Sequence, residues 1–406
     1  MIEYEDVRSH ILDAVEPLTP RVVARLDALG LVLAGNVDAT DDVPPFANSA
    51  MDGYAVRAVD TNGARESAPV RLHVVDELPA GRAPSTPVGP EEAIRIMTGA
   101  PMPDGADAIV MVEHTTTDAG DVLVLREAGS GDHIRPAGGD VRAGQRVFEA
   151  GTVLGPAAIG VLASLDVSGV SAHPRARVGV MSTGDELVEH GRLAPGQIHD
   201  SNRPMLLSLA AEAGCEPVDL GMARDDEKYI VSTIETALET CDAILTSGGV
   251  SMGEYDLVKA GLRNLSAERP GVEFQWWQVS IKPAKPLVFG VIGGKPVFGL
   301  PGNPVSSSVS FELFARPALR KMMGHGEVLR REVVAIADHA MPHKADGKVY
   351  LERVRVRYVD GRFHAARSGG QESNVLSAMA VANGLTLLPD DGGVEAGGEV
   401  TVMLLA

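Results

Sequence analysis

A glycine-rich segment in the second half of the chain has residue types suited to binding phosphate. It reads TSGGVSMGEYD over residues 246–256 and follows a short apolar run. Its glycines let successive backbone N–H groups turn toward one point, and a following helix would add the positive end of its dipole. The alternative is a tight strand-to-helix turn capped by an aspartate. The candidate binding residues are Ser247, Gly248, Gly249, Ser251 and Gly253, and Asp256 is a candidate metal ligand.

Acidic residues follow two other apolar runs of the same region. Glu186 lies in the segment STGDEL, and Asp225-Asp226 follow the run that ends near residue 220. Carboxylate oxygens are ligands that Mg²⁺ prefers, either directly or through water. Helix capping and a solvated surface are the alternative for both groups. The predicted metal ligands are therefore Glu186, Asp225, Asp226 and Asp256.

Two lysines lie between prolines in the segment IKPAKP, residues 281–286. Because proline fixes φ, we expect Lys282 and Lys285 to be held in place. Fixed cations beside an apolar wall suit a phosphate or another oxyanion. The alternative is an edge strand on which the lysines discourage aggregation.

The segment LPGNPVSSS, residues 300–308, predicts a turn that opens a long helix over residues 306–323. The free N–H groups and hydroxyls at such a helix start can receive an anion. A helix capped by serine after a simple turn is the alternative. The candidate binding residues are Pro301, Gly302, Asn303 and Ser306.

Two segments near the N-terminus predict turns with polar side chains. PFANSAMDGYA, residues 45–55, contains Asp52, and MTGAP, residues 97–101, contains Thr98. The residue types alone indicate turns that can carry a site, without naming its chemistry.

The order of apolar runs predicts how these segments are positioned. Strand and helix patterns alternate over residues 169–325, which predicts a mostly parallel α/β/α sheet that binds ligands at the carboxyl ends of its strands. Residues 45–130 predict an inserted β domain and residues 326–406 a C-terminal β domain, where Asp360-Gly361 indicates a hairpin. Residues 1–44 and 131–168 predict a helical linker domain. Its second helix would begin at Pro20 and bury Val22, Leu26 and Leu29.

Composition excludes several classes of protein. The formal net charge of −19 is unsuited to a nucleic-acid binder. No apolar run is long enough for a membrane helix, and the acidic N-terminus is unlike a signal peptide. Two cysteines are too few for a disulfide framework. We therefore expect a cytoplasmic protein with neither nucleic-acid nor membrane partners. The motifs GxGxxG, GxxxxGK[ST] and HExxH are absent from the sequence.

Seven ordered segments together resemble one known family. They are PPFANSAMDGYAV, RIMTGAPMPDGADAIVMVE, IRPAGGDVRAG, VGVMSTGDEL, ILTSGGVSMGEYD, IKPAKPLVFG and VFGLPGNPVSSSVSFE. The chain is similar, over essentially its whole length, to the MoeA family of molybdopterin molybdenumtransferases, which includes the E domain of gephyrin. Seven motifs in one order are far more specific than any single loop.

The resemblance implies a function and a set of site residues. Family members insert molybdate into adenylylated molybdopterin and release AMP, with Mg²⁺ as cofactor. They have four domains and form homodimers in which the second subunit completes the site, and the molybdopterin adenylyltransferase is an implied partner. The implied catalytic residues are Asp52, Thr98, Glu186, Lys282 and Lys285, and Arg353 and Ser373 match further substrate-binding positions.

The sequence departs from the family pattern at two positions and leaves other functions open. Ala284 replaces the glycine of the family's KPGKP, which would strain the loop if that position needs φ > 0. Glu372 adds a negative charge beside Ser373. Alternative functions are a pterin-binding or scaffolding protein without insertase activity and an adenylyltransferase. Tungstate is nearly the same size and charge as molybdate, so the sequence does not separate them.

Overall fold

The computed structural model describes residues 1–224, 226–249, 272–390 and 392–405. The chain forms two compact units. The first comprises Met1–Val22, Gly30–Ala34 and Ser171–Ala406, and the second comprises Val23–Leu29 and Gly35–Val170. The division into four domains is finer than this and stays a prediction. Within the described residues, no helix combines the length and the apolar character needed to cross a membrane.

The first predicted helix is confirmed, but the second is wrong. Helix α1 (Tyr4–Asp13) is followed by strand β1 (Arg21–Ala24) and a 3₁₀ turn (Arg25–Ala28). Val22 and Leu26, which the helix would have buried, are 81% and 77% exposed. Two adjacent β-branched valines favour an extended backbone here over a helix. Two short strands follow: β2 (Val32–Leu33) and β3 (Val37–Asp38).

The predicted β content of residues 45–130 is confirmed. Six strands of the second unit form one sheet in the order β8-β5-β7-β6-β10-β9, in which only β6 and β7 pair in parallel. Alternate residues of β10, such as Val122 and Val124, are fully buried, as expected for a strand with one covered face. The strands of residues 45–130 are β4 (Asn48–Ser49), which lies outside this sheet, and β5 (Gly53–Val56), β6 (Arg65–Leu78), β7 (Glu92–Ile96), β8 (Ala108–Met111), β9 (Thr115–Asp118) and β10 (Asp121–Arg126).

The predicted linker segments contain less helix than expected. Residues 131–168 form a single α-helix, α2 (Pro156–Ser164), which begins at the predicted proline. Around it lie the strands β11 (Ile134–Arg135), β12 (Arg146–Phe148) and β13 (Gly169–His173). Together with α1, these linker segments hold two α-helices, and their remaining regular structure is mainly short strands.

The first unit contains the predicted mostly parallel sheet. Its order is β17-β14-β18-β22-β21-β19, and β21 runs in the opposite direction to the other five strands. Ile244 and Leu245 on adjacent positions belong to different apolar cores, so both faces of the sheet are covered. Its strands and the short ones beside it are β14 (Arg177–Thr183), β15 (Leu187–Val188), β16 (Ile198–His199), β17 (Glu216–Ala223), β18 (Ala243–Ser247), β19 (Phe274–Gln278), β20 (Ile281–Lys282), β21 (Pro286–Ile292) and β22 (Lys295–Leu300).

Helices cover the two faces of this sheet. Helix α3 (Asn202–Glu212) contributes Leu206 to one core, and α4 (Glu227–Thr240) contributes Ile230 to the other. The predicted long helix after β22 comprises α5 (Pro304–Ser310), a π-helical turn (Phe311–Ala315) and α6 (Arg316–Met322). Pro317 has no N–H to donate to the carbonyl four residues earlier, which accounts for the widened turn before it.

The C-terminal region forms a closed barrel in the order β23-β27-β26-β28-β30. The predicted hairpin at Asp360-Gly361 is confirmed, since Val359 pairs with Arg362 and both turn residues have positive φ. The elements are β23 (Glu332–Ala337), β24 (Met341–Pro342), β25 (Val349–Tyr350), β26 (Arg353–Val359), β27 (Arg362–Arg367), α7 (Leu376–Ala380), β28 (Gly384–Thr386), β29 (Gly393–Val394) and β30 (Glu399–Leu404).

Candidate functional site

Three parallel strands end side by side at one edge of the six-stranded sheet. Ser182 of β14 pairs with Ser247 of β18, which in turn pairs with Leu300 of β22. The backbone N–H of Gly248 donates to the carbonyl oxygen of Leu300 at 3.1 Å. The glycine-rich loop and the loop that begins at Pro301 are therefore neighbours, as expected for the carboxyl ends of parallel strands.

Glycine is required at the start of the glycine-rich loop. Gly248 has φ +95°, and a Cβ atom on it would lie 2.4 Å from the carbonyl oxygen of Thr183. Only glycine tolerates both the backbone conformation and this close approach. Three of the predicted positions of this segment, Ser251, Gly253 and Asp256, lie outside the described residues.

The loop after β22 connects the sheet edge to the C-terminal region. Asn303 is the N-cap residue of α5, and Pro304 occupies its first turn, where a fixed φ and a missing N–H cost nothing. The helix therefore begins two residues before the predicted Ser306. The N–H of Val305 donates to the carbonyl oxygen of Ser373 at 3.2 Å. This bond brings the predicted Ser373 beside the start of the helix.

The two predicted lysines lie on a segment with a well-fixed backbone. Strand β20 pairs in parallel with β25, with Lys282 opposite Tyr350. The N–H of Leu351 donates to the carbonyl oxygen of Lys282, and the N–H of Val279 donates to that of Lys285, both at 2.8 Å. Both lysine side chains are exposed, while the backbone between them is buried.

One cavity of about 330 Å³ collects predicted residues from three separate segments of the chain. The lysine segment, the loop after β22 and the segment around residue 373 all line it. The predicted residues on its wall are Lys282, Lys285, Asn303, Ser306 and Ser373. These five side chains offer two ammonium groups, an amide and two hydroxyls, which together can hold a tetrahedral oxyanion.

A second cavity of about 650 Å³ shares Lys282 with the first. The ammonium of Lys282 lies 5.0 Å from the centre of the Tyr350 ring, a cation–π contact. The ring of His343 stacks on Tyr350 at 4.2 Å. Sequence reasoning missed these aromatic residues, because they are far from the lysines along the chain and no motif marks them. Other residues on this wall that were missed are Lys344, Asp346, Glu352 and Arg367.

Arg353 lines the 650 Å³ cavity, but its guanidinium also supports the neighbouring loop. The residue is 1% exposed, and its Nη2 donates to the carbonyl oxygens of Gly370 and Glu372 at 2.9 and 3.0 Å. Burial lowers the pKa of Arg353 below its usual value. Arg353 therefore holds the backbone that carries Ser373. Its role in direct substrate binding stays a prediction.

The predicted acidic residues do not meet in the described part of the chain. Glu186 is exposed, and Asp226 accepts the N–H of Tyr229 at 3.1 Å as the N-cap of α4. Asp225 and Asp256 lie outside the described residues. Among the residues that are described, no three His, Cys, Asp or Glu side chains are grouped to hold a metal ion. For Asp226, the capping alternative is what the structure shows.

In the second unit, Asp52 and Thr98 come together from positions 46 residues apart. Strands β5 and β7 pair Gly53 with Ile96, which brings the ends of the two predicted segments together. The backbone N–H and the hydroxyl of Thr98 both donate to one oxygen of Asp52, each at 2.7 Å. These two bonds lower the pKa of the exposed Asp52 carboxyl. The pair therefore presents a fixed negative charge.

Models of three protein families match consecutive parts of the chain. Residues 2–165 match the MoeA N-terminal region (domain I and II), residues 179–321 a probable molybdopterin binding domain, and residues 340–405 the MoeA C-terminal region (domain IV). The chain is also 41% identical over 394 residues to molybdopterin molybdenumtransferase 2 of Mycobacterium tuberculosis, covering 96% of this chain and 95% of that protein. The chain belongs to the MoeA family.

Other MoeA relatives are similar to this chain over most of its length. Identity to the molybdopterin molybdenumtransferase of Nostoc sp. is 37% over 369 residues, covering 89% of this chain and 83% of that protein. The crystal structure of the molybdopterin biosynthesis protein MoeA from Pyrococcus horikoshii OT3 superposes with a TM-score of 0.81 at 31% identity and covers 100% of both chains. The family resemblance and the multidomain fold expected from the sequence are confirmed.

This MoeA-family chain has an unusual backbone position between its two lysines. Ala284 has φ +79° and is 3% exposed, so the alanine that replaces the family's glycine does sit in the left-handed region. An L-residue pays about 1–2 kcal/mol there. The strain expected from the sequence is therefore present in the fold.

We expect the free energy of unfolding to fall as the side chain at residue 284 becomes larger. We expect Ala284→Gly to raise the free energy of unfolding by up to about 1 kcal/mol. Ala284→Val should lower it by at least about 2 kcal/mol, because a β-branched residue is least tolerant of positive φ and of a buried site. Urea denaturation of the three proteins measures this order. A valine variant as stable as the glycine variant would show that the loop is unstrained.

The second departure in this MoeA-family chain lies at the edge of the 330 Å³ cavity. Glu372 is exposed, lines the cavity and precedes Ser373. Its carboxylate faces the same space as Lys282 and Lys285 and reduces the positive potential there. We therefore expect an anion to bind more weakly at Ser373 than it would beside a neutral residue at position 372.

Proposed function

We propose that this chain is a molybdopterin molybdenumtransferase that inserts molybdate into adenylylated molybdopterin and releases AMP. The observation that carries the proposal is the 330 Å³ cavity, in which Lys282, Lys285, Asn303, Ser306 and Ser373 converge from three segments. The names of the M. tuberculosis and Nostoc relatives support the same activity. The anionic substrates match the positive groups of the cavity despite the net charge of −19.

The described residues suit two tasks in this reaction. The loops at Gly248 and Gly302 bring backbone groups of adjacent strand ends together, which suits the phosphates of the adenylylated pterin. Lys282 and Lys285 neutralise an oxyanion as point charges, without the directional fork of an arginine. We therefore place molybdate on the lysine side, beside Lys282 and Lys285 in the cavity, and the pterin phosphates at the Gly248 and Gly302 loops, which do not line this cavity.

Magnesium, the homodimer, the cytoplasmic location and the adenylyltransferase partner extend this proposal. Their support is the resemblance to the MoeA family. The described residues do not form a magnesium site, since no three potential ligands meet and the Asp226 carboxylate caps a helix.

Release of AMP from adenylylated molybdopterin tests the proposal. The wild-type protein should release AMP when molybdate is supplied with Mg²⁺ and should release little without molybdate. Asp52→Ala should lose this activity, because the variant removes the fixed carboxylate of the second unit. Tight pterin binding without AMP release would favour the scaffolding alternative. Formation of adenylylated pterin from ATP and free molybdopterin would favour the adenylyltransferase.

A further inference from the structure

Asn202 connects the two loops at the carboxyl edge of the sheet. It is the first residue of α3 and is 9% exposed. Its side-chain Nδ2 lies 2.7 Å from the hydroxyl oxygen of Ser247 and 2.7 Å from the carbonyl oxygen of Gly302. One amide group therefore contacts the end of β18 and the loop after β22.

The hydrogen atoms at this point can be assigned from the partners alone. A carbonyl oxygen only accepts, so Gly302 fixes the atom facing it as the NH₂ of Asn202. That NH₂ has two hydrogens, and the second is donated to Ser247. The Ser247 hydroxyl then directs its own hydrogen to the carbonyl oxygen of Pro301 at 3.3 Å. Both hydrogens of the amide are used, and an oxygen in its place would have none to donate.

The Asn202 backbone is itself held by a buried carboxylate. The N–H of Asn202 donates to Oδ1 of Asp200 at 3.1 Å, and the hydroxyl of Ser182 donates to Oδ2 at 2.6 Å. Nε of Arg203 also donates to Oδ2, at 3.1 Å. Asp200 is 9% exposed. The network thus joins the ends of β14, β18 and β22 through two side chains.

We infer that Asn202 is a positioning residue that sets the spacing between the Ser247 and Gly302 loops, and through them the binding of the substrate's phosphates. The inference rests on the proposed function, which places the adenylylated pterin on these loops. The loops are close enough for the spacing to matter, since a Cβ atom on Gly302 would lie 3.7 Å from Cα of Gly248. Molybdate, placed on the lysine side, should not sense the change.

Two substitutions of Asn202 test the inference. Asn202→Asp keeps the shape of the side chain but replaces the donor with an acceptor, and Asn202→Ala removes both bonds. In each, we expect the KM for adenylylated molybdopterin to rise by at least about tenfold, while the KM for molybdate changes by less than about twofold. Asn383→Asp is the matched control, because Asn383 also donates to a backbone carbonyl, that of Val356, but in the C-terminal barrel.

The possible outcomes separate the inference from the function on which it rests. If both KM values rise together in the Asn202 variants, or neither rises, the positioning role is wrong. If the aspartate variant does not fold, which thermal denaturation would reveal, the alanine variant decides. A wild-type protein that fails to release AMP would contradict the proposed function itself, and not the hydrogen bonds of Asn202.

Discussion

Replacing Lys282 by methionine is expected to lower kcat/KM for molybdate-dependent AMP release by about 10²–10³-fold. Lys282 is the lysine that lines both the 330 and the 650 Å³ cavities. Its ammonium forms no salt bridge with another described residue, and its ordered contact is with the Tyr350 ring. The charge is therefore available for an oxyanion. Methionine keeps the apolar stem of the side chain and removes only that charge.

Lys348→Met is the matched control for this prediction. Lys348 lines the same 330 Å³ cavity, and the substitution changes the net charge by the same amount. Its ammonium is already paired with the carboxylate of Asp346, so we expect a loss of less than about fivefold. Steady-state rates of AMP release at several molybdate concentrations compare the two variants. Equal losses would mean that the cavity responds to its total charge and not to Lys282 in particular.

The sequence predicted the α/β region well because local patterns determine it. Apolar strands alternate with amphipathic helices, and the carboxyl ends of parallel strands must share an edge. That rule places Ser247 and Leu300 at the same edge of the sheet, whereas their direct pairing depends on the strand order, which was not predicted. The prolines beside Lys282 and Lys285 likewise indicated a fixed backbone, which the structure has.

The sequence failed where tertiary context decides the structure. The apolar spacing of Val22 and Leu26 fits a helix, but both side chains are exposed in a strand and a 3₁₀ turn. Asp226 was indistinguishable from a metal ligand until the N–H that it accepts was known. Tyr350 lies opposite Lys282 because β25 pairs with β20, and His343 stacks on Tyr350. A single sequence carries no signal for such contacts.

Asn202 shows why a correct local interpretation can be incomplete. Serine and asparagine are typical residues at the start of a helix, and α3 does begin at Asn202. Its side-chain amide, however, donates hydrogen bonds to Ser247 and Gly302, which lie 45 and 100 positions away along the chain. Asn202 lies at the edge of the sheet where ligands of such folds bind, and that position is the signal for a role in the site.

A mixture of two inactive variants is expected to regain activity if the proposed homodimer completes each site across subunits. Asp52 lies in the second unit of the chain and Lys282 in the first. Asp52→Ala and Lys282→Met protomers, given different tags, can be purified as heterodimers. One of the two sites then combines native Asp52 with the partner's native Lys282. Such heterodimers should therefore show about half of the wild-type rate of AMP release.

The reciprocal heterodimer makes the test decisive. A doubly substituted protomer, carrying both Asp52→Ala and Lys282→Met, is paired with a wild-type protomer. If each site uses residues of both subunits, both sites lose one group and AMP release falls to the level of the single variants. If each site lies within one chain, the result reverses: this heterodimer keeps about half of the activity and the first one has none. Each heterodimer carries one Asp52→Ala and one Lys282→Met substitution, so only their distribution between subunits distinguishes the two dimers.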